Sequence, residues 1–179
     1  MVRAFIAIDM PGEIRTRIAE VQAVLAKSDA KITLVDPSIA HITLKFLGEI
    51  DARTLDSVEA ALGTLSFHPF DMEVSGVSGN SRTHPRVIWA TAQDGGMCSK
   101  LAGRIEESLA PIGIRRENRQ FTPHVTIARV RRFDPSLSGR IDELASSSFG
   151  NLLVSTVRLK KSTLTPSGPV YETLMEVTL

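Results

Sequence analysis

The sequence has a single cysteine, Cys98, among 179 residues. That excludes an internal disulfide and any cysteine-based zinc site, and it fits a reducing compartment. Cys98 reads as a small apolar filler near a helix start. Long apolar runs are also missing: none approaches the roughly 20 residues needed to span a bilayer. The N-terminal run from Met1 to Asp9 breaks at Met10-Pro11-Gly12. It is too short for a secretory h-region, and no small-residue cleavage site comes after it. The expectation is a cytoplasmic protein without membrane association. Net charge is nearly absent at +1, so the field of the whole molecule says little about partners.

What is present is ordinary for a globular chain, 42% hydrophobic and 23% charged. The length fits one domain, or two small lobes sharing a core. Charge is unevenly placed. Residues 1–90 carry a formal −2 and residues 91–179 a formal +3. Arg115, Arg116, Arg119, Arg129, Arg131 and Arg132 crowd one stretch in which Glu117 is the only acid. Such a patch can hold phosphates, although taken alone it reads as a solvated loop.

Periodicity gives the elements. Arg3 to Ile8 reads as a strand. Pro11-Gly12 ends it and opens a helix, in which Ile14, Ile18, Val21 and Leu25 recur at helical spacing. Lys31 to Val35 reads as a short strand and Asp36-Pro37-Ser38 as a turn. An apolar strand begins at His41 and stops at Gly48-Glu49. A helix comes next on Leu55, Val58, Leu62 and Leu65. Phe70 to Val77 alternates as a half-buried strand. After the polar loop from Ser78 to Pro85 the order restarts. Arg86 to Thr91 is a strand, and Leu101, Ile105 and Leu109 mark a helix closed by Pro111 and Gly113. A second apolar strand starts at His124, and Leu137, Ile141 and Leu144 mark a short helix. Asn151 to Lys160 and Val170 to Leu179 read as strands.

Two pseudo-repeats are therefore expected, at about 1–80 and 84–165, with a C-terminal strand over 170–179. The implied fold is α+β: a single bilobal domain of two pseudo-symmetric lobes. Each lobe is a mainly antiparallel sheet with helices outside, and the two face across a central cleft. No exposed apolar helix face announces a dimer, so a monomer is expected.

One tripeptide pattern occurs once in each repeat. His41-Ile42-Thr43-Leu44 and His124-Val125-Thr126-Ile127 both read His, apolar, Thr, apolar, and the histidines stand 83 residues apart. Strand side chains alternate between faces. His41 thus shares a face with Thr43, and His124 with Thr126, opposite apolar residues bound for the core. A lone histidine on a strand is more often structural or solvated than catalytic, but two matched copies half a chain apart are harder to obtain by chance. Two imidazoles can hold opposite protonation states near neutrality, as acid and base. The two threonine hydroxyls can donate to developing phosphoryl charge. Composition and spacing do not say which histidine is acid and which is base. His68 reads as a surface residue and Trp89 as core. His84 lies in the midpoint loop beside Arg82 and Arg86, within reach of a nucleic acid. Lys45, two residues past Thr43, is placed by alternation at the cleft edge or in solvent.

These stretches resemble the two-histidine (2H) phosphoesterase superfamily, and within it the bacterial and archaeal RNA 2′,3′-cyclic phosphodiesterases, historically called 2′-5′ RNA ligases. The resemblance is carried by residues 3–8, HITLKFLG from His41 to Gly48, residues 85–89, FTPHVTIAR from Phe121 to Arg129, and the segments 162–164 and 168–171. It implies hydrolysis of RNA 2′,3′-cyclic phosphate ends to 2′-phosphate ends, without metal or other cofactor. RNA ends or nucleotides bearing the cyclic phosphate would be the partners. His41 would protonate the ribose O3′ and His124 would activate water. An RNA 5′-hydroxyl in water's place would give a 2′-5′ linkage without ATP. The resemblance further suggests that Phe46 stacks on the terminal base and that Arg129 meets phosphate or base. Both lie five residues past their histidines, so strict alternation puts them on the opposite face unless the strands end or bulge there. For Phe46, core packing and stacking both stay open. Arg129 is the better site candidate, because a buried arginine is costly.

Three alternatives are weighed against this enzyme. A nucleotide- or RNA-binding module of the same fold would bind with little turnover. A metal-dependent hydrolase would need three or four ligands, yet neither motif strand holds a carboxylate apart from Glu49 beyond Gly48. A scaffold with chance motifs sits poorly with the matched repeat.

Overall fold

The computed structural model describes all residues, 1–179. In chain order the elements are β1 (Val2–Asp9), α1 (Gly12–Leu25), β2 (Lys31–Leu34), β3 (His41–Ile50), α2 (Ala52–Gly63), β4 (Phe70–Gly79) and β5 (Val87–Gln93). They continue with α3 (Met97–Leu109), β6 (His124–Arg132), α4 (Ser136–Glu143), β7 (Ser148–Val154), β8 (Thr156–Thr165) and β9 (Gly168–Thr178). Short acidic side chains fix three helix starts by accepting from otherwise unpaired backbone N–H groups. The Asp51 carboxylate accepts from Thr54 N at 2.7 Å, Asp94 from Cys98 N at 2.6 Å, and Asp134 from Ser136 N at 2.9 Å.

Every strand pairing is antiparallel, and the ladder runs β7-β4-β5-β6-β3-β1-β8-β9, with β2 also on β6. Ser155 alone separates β7, at one end of the ladder, from β8, next to last at the other. One extended residue spans only about 3.5 Å, so the two ends must meet. The ladder therefore doubles over into two sheets, β3-β1-β8-β9 and β7-β4-β5-β6. They are joined where β3 meets β6 through one partner pair, Ile42 with Val125. Helices α2 and α3 pack on the first sheet against β9 and β3, while α1 and α4 pack on the second against β7, β6 and β4. Between helices and sheets lies a single core that includes Ile6, Ile14, Ile42, Leu101, Ile105, Val125 and Ile127, all fully buried.

The order strand, helix, motif strand, helix, strand occurs twice along the chain, but the halves of the sequence are not the halves of the molecule. Strand β4, from the first half, lies in the second sheet between β5 and β7. Strands β8 and β9, from the second half, complete the first sheet beside β1. This exchange also breaks the strand expected over Asn151–Lys160. Its first residues pair with β4 and its last with β1, so the chain changes sheets at Ser155.

The bend in β4 depends on Gly76. Its φ is +75°, and a Cβ there would meet the Ala145 carbonyl oxygen at 2.9 Å and the Thr91 hydroxyl at 3.3 Å. Gly48 has a similar φ of +73° but open space around it. Gly76→Ala is expected to destabilise the fold by about 2–3 kcal/mol, combining backbone strain with the clash, and Gly48→Ala by only about 1 kcal/mol. Urea unfolding midpoints of the two variants check this, and equal losses would contradict it.

Candidate active site

Strict alternation fails in each motif strand at the same offset from its histidine. In β3 the ladder with β1 pairs Thr43 with Ala7 and Lys45 with Ile6, leaving Leu44 as an extra residue. In β6 the ladder with β5 pairs Thr126 with Trp89 and Ala128 with Ile88, leaving Ile127 extra. Both are one-residue bulges three positions past the histidine, and each reverses the facing of the residues beyond it. Burial records the result identically in both strands: half-buried His and Thr, then two consecutive buried residues, then an exposed one. The exposed residues are Phe46, 63% accessible, and Arg129. Both therefore lie on the face of the histidine and threonine in their own strand.

Lys45 moves the other way. It is 2% exposed, so its expected place at the cleft edge or in solvent is wrong. The bulge turns it into the interface with α3, where its ammonium pairs with Glu106 and donates to the Arg115 carbonyl at 2.7 Å. A lysine buried without such partners would cost several kcal/mol. Glu106 also accepts from the Glu117 backbone N–H at 3.2 Å. The arginine-rich loop is thereby tied to the back of β3. In β6 the matching position is Ala128, which is buried without needing a partner. The second bulge is held through its backbone: the Ile127 carbonyl accepts from Val35 N at 3.1 Å and from the buried Gln22 amide at 2.9 Å.

The Ile42–Val125 pair brings the two motifs together. Antiparallel pairing at that point sets His41 toward Thr126 and Thr43 toward His124. Each imidazole is oriented the same way. Nδ1 of His41 lies 2.8 Å from the Ile39 carbonyl, and Nδ1 of His124 lies 2.8 Å from the Thr122 carbonyl. A carbonyl oxygen can only accept, so both Nδ1 atoms carry hydrogen and both Nε2 atoms are left for chemistry. Nε2 of His41 is 3.1 Å from the Thr43 hydroxyl.

The surroundings of the two rings differ. His41 stands among aromatics: Phe5 at 5.0 Å and Tyr171 edge-on at 5.4 Å between ring centroids. Phe5 continues to Phe46 at 6.3 Å. Burial pushes the His41 imidazole below its ordinary value. Its hydrogen bond to Ile39 and the charge of Asp9 oppose that push, and the charge of Lys160 adds to it. His124 has Trp89 at 4.8 Å, so Trp89 is half-buried beside a histidine rather than sunk in the core as expected. Burial raises the Tyr171 hydroxyl, while Arg129 from the other sheet and Arg3 pull it back down.

His68 is exposed, as expected, and His84 is an exposed loop residue whose ring packs 4.7 Å from Phe133. Cys98 is fully buried and burial raises its thiol, so it is an inert filler. No group of three or more His, Cys, Asp or Glu side chains is arranged to hold a metal ion. No helix is long and apolar enough to cross a membrane. A cavity of about 430 Å3 at the start of α1 reaches Asp9 and Arg158 but neither histidine.

The LigT-like phosphoesterase family matches the chain over residues 8–89 and 96–171. An RNA 2′,3′-cyclic phosphodiesterase of Archaeoglobus fulgidus is 34% identical over 174 residues, covering 97% of this chain and 98% of its own. One from Methanothermobacter thermautotrophicus is 36% identical over 182 residues, covering 98% and 97%. Among solved structures, TT0787 of Thermus thermophilus superposes with a TM-score of 0.84 at 28% identity, over 99% of this chain and 97% of that one. Escherichia coli LigT complexed with 3′-AMP gives 0.84 at 25% identity, over 99% and 98%.

The carbonyl contacts fix a spectroscopic expectation. In two-bond 15N–1H spectra above the imidazole titration range, His41 and His124 should both show the Nδ1–H tautomer. An Nε2–H signature at either ring would contradict the assigned orientation.

Proposed function

The chain belongs to the LigT-like phosphoesterase family, and from that premise we propose that it hydrolyses RNA 2′,3′-cyclic phosphate ends to 2′-phosphate ends by metal-free acid-base catalysis between His41 and His124. The observation that carries this reading is the matched geometry of two His-Thr pairs. They come from two strands joined at one point, with both Nε2 atoms free of backbone partners. The full-length similarity to RNA 2′,3′-cyclic phosphodiesterases supports the substrate class. The 3′-AMP in the Escherichia coli neighbour supports a ribonucleotide end.

In the reaction, Nε2 of His124 takes a proton from water as the water oxygen attacks phosphorus. The P–O3′ bond breaks, and O3′ takes the proton carried on Nε2 of His41. The ribose is left with a free 3′-hydroxyl and a 2′-phosphate. Burial weakens the hold of His41 on its proton, so its proton-bearing acid form is favoured toward lower pH. The hydroxyls of Thr43 and Thr126 donate to the phosphoryl oxygens, where negative charge builds. Phe46, exposed and next to Phe5, offers its ring to the terminal base. Arg129, across the cleft near Tyr171, meets the phosphate of the strand. With an RNA 5′-hydroxyl in place of water the same attack forms a 2′-5′ linkage, and the bond energy comes from the strained cyclic ester rather than ATP. A monomer in a reducing compartment such as the cytoplasm suits a chain whose one thiol is free and buried.

The test is a short RNA ending in a 2′,3′-cyclic phosphate, incubated in EDTA with wild type, His41→Ala and His124→Ala. Wild type should yield a 2′-phosphate end. Each variant should lose at least about 100-fold in rate, the scale of a lost acid or base. Full loss of wild-type activity in EDTA would sink the metal-free mechanism. Tight binding with no turnover would favour a nucleotide-binding module.

A further inference from the structure

We propose that Asp9, held by Lys160 and Arg158, is a positioning residue that sets how firmly His41 keeps its proton. The proposal rests on reading His41 as an acid-base group, and it deepens that reading.

Asp9 is the cross-strand partner of His41 in the β1–β3 ladder. Partners directly opposite in an antiparallel pair share a face, about 5 Å apart. The carboxylate therefore belongs to the cleft face and not to the face packed on helices. The same holds for its clamp. Lys160 pairs with Phe5 and Arg158 with Ala7 across the β1–β8 ladder, on the face that carries Phe5 against the His41 ring. Nζ of Lys160 lies 2.7 Å from each Asp9 oxygen. Arg158 reaches Asp9 at 3.4 Å and Glu176 of β9 at 2.8 Å. Lys160 is 7% exposed.

The groups facing His41 can be counted element by element. From β3 itself there is the Thr43 hydroxyl, and from β1 the Phe5 ring and Asp9. From β8 come Lys160 and Arg158, from β9 Tyr171 and Glu176, and from the joined strand β6 there is His124. With Tyr171 uncharged, Asp9, Glu176, Lys160 and Arg158 form a neutral cluster beside the ring, and Arg3 of β1 and Arg129 of β6 stand beyond it at Tyr171. Any single deletion leaves one unbalanced charge next to a half-buried imidazole, where water screens it poorly. Without Asp9 the excess is positive and the proton on His41 leaves more easily. Without Lys160 the excess is negative and the proton is held. The opposing effects of Asp9 and Lys160 on this ring have the same signs. Arg158 still reaches Asp9 when Lys160 is gone. An ion pair this buried stabilises a fold no better than apolar residues of similar size, so its place beside the reacting ring calls for a second role.

The proposal is tested by NMR titration of full-length protein labelled with 13C-histidine. The four imidazoles His41, His68, His84 and His124 are assigned by single His→Gln variants. Asp9→Asn should lower the His41 midpoint by about half a pH unit or more, roughly threefold in proton affinity, and Lys160→Gln should raise it by a similar amount. The double variant should return toward wild type, and the other three midpoints should stay put. If Lys160→Gln does not fold, Asp9→Asn and the double variant carry the comparison. Shifts of His41 in the same direction in both single variants, or no shift in folded protein, would overturn the proposal. The pH profile of cyclic-phosphate opening should move with the His41 midpoint. If the midpoint moves and the profile does not, the network stands and the acid role of His41 falls.

Discussion

A strand shows alternate residues to alternate faces, and each motif strand breaks that rule three residues past its histidine. The site depends on those two breaks. Without them Phe46 and Arg129 would point into the layer under the helices, and Lys45 and Ala128 would take their places beside the histidines and threonines. A bulge leaves backbone groups out of the ladder, and a fold keeps one only if something else engages them. In β6 that is the Gln22 amide, reaching from α1 to the Ile127 carbonyl. In β3 the bulge drives a lysine inward, and Glu106 of α3 meets it. Two unlike solutions thus hold two like distortions, which is what a pseudo-symmetric site needs once its halves have diverged in sequence.

The exchanged strands serve the same end. If each half of the chain closed its own sheet, the two motif strands would belong to bodies free to shift. Instead β4 is built into the second sheet and β8 and β9 into the first, with one residue at Ser155 between β7 and β8. Chain connections cross between the sheets repeatedly, and the Ile42–Val125 pair fixes the register of the motifs directly. Relative motion of the histidines then requires breaking sheet pairing rather than bending a linker.

Much of this was legible in the sequence, for identifiable reasons. The elements came from periodicity, because amphipathic helices and alternating strands such as Phe70-Met72-Val74 carry their own spacing. The His-Thr pairs stood out because the pattern occurs in both halves. Partner choice was not legible: nothing local in Phe70 to Val77 says that it pairs across the midpoint. Bulges were not legible either, since Leu44 and Ile127 look like any strand residue, and so Lys45 was set on the wrong face and Phe46 left undecided. Phe5, Asp9, Lys160 and Tyr171 give no local sign of a site, because each reads as part of an ordinary strand. Their nearness to His41 comes only from β1 lying between β3 and β8. The one available hint was opposite charge in two largely apolar runs, Asp9 at the end of the first and Arg158 and Lys160 in the other.

The finished cleft is asymmetric. Around His41 it is aromatic and half-dry, with a neutral charge network behind the ring, and the strand of His124 offers an exposed arginine. That division suits a ribonucleotide end, with a flat base on one side and anionic phosphate on the other. The most direct measurement is a crystal structure with a nucleoside 2′,3′-cyclic vanadate, whose five-coordinate centre mimics the transition state of ring opening. The account predicts Nε2 of His41 and Nε2 of His124 at opposite apical oxygens, with the hydroxyls of Thr43 and Thr126 on the equatorial ones. A vanadate held by one histidine alone, or bound away from both, would contradict it.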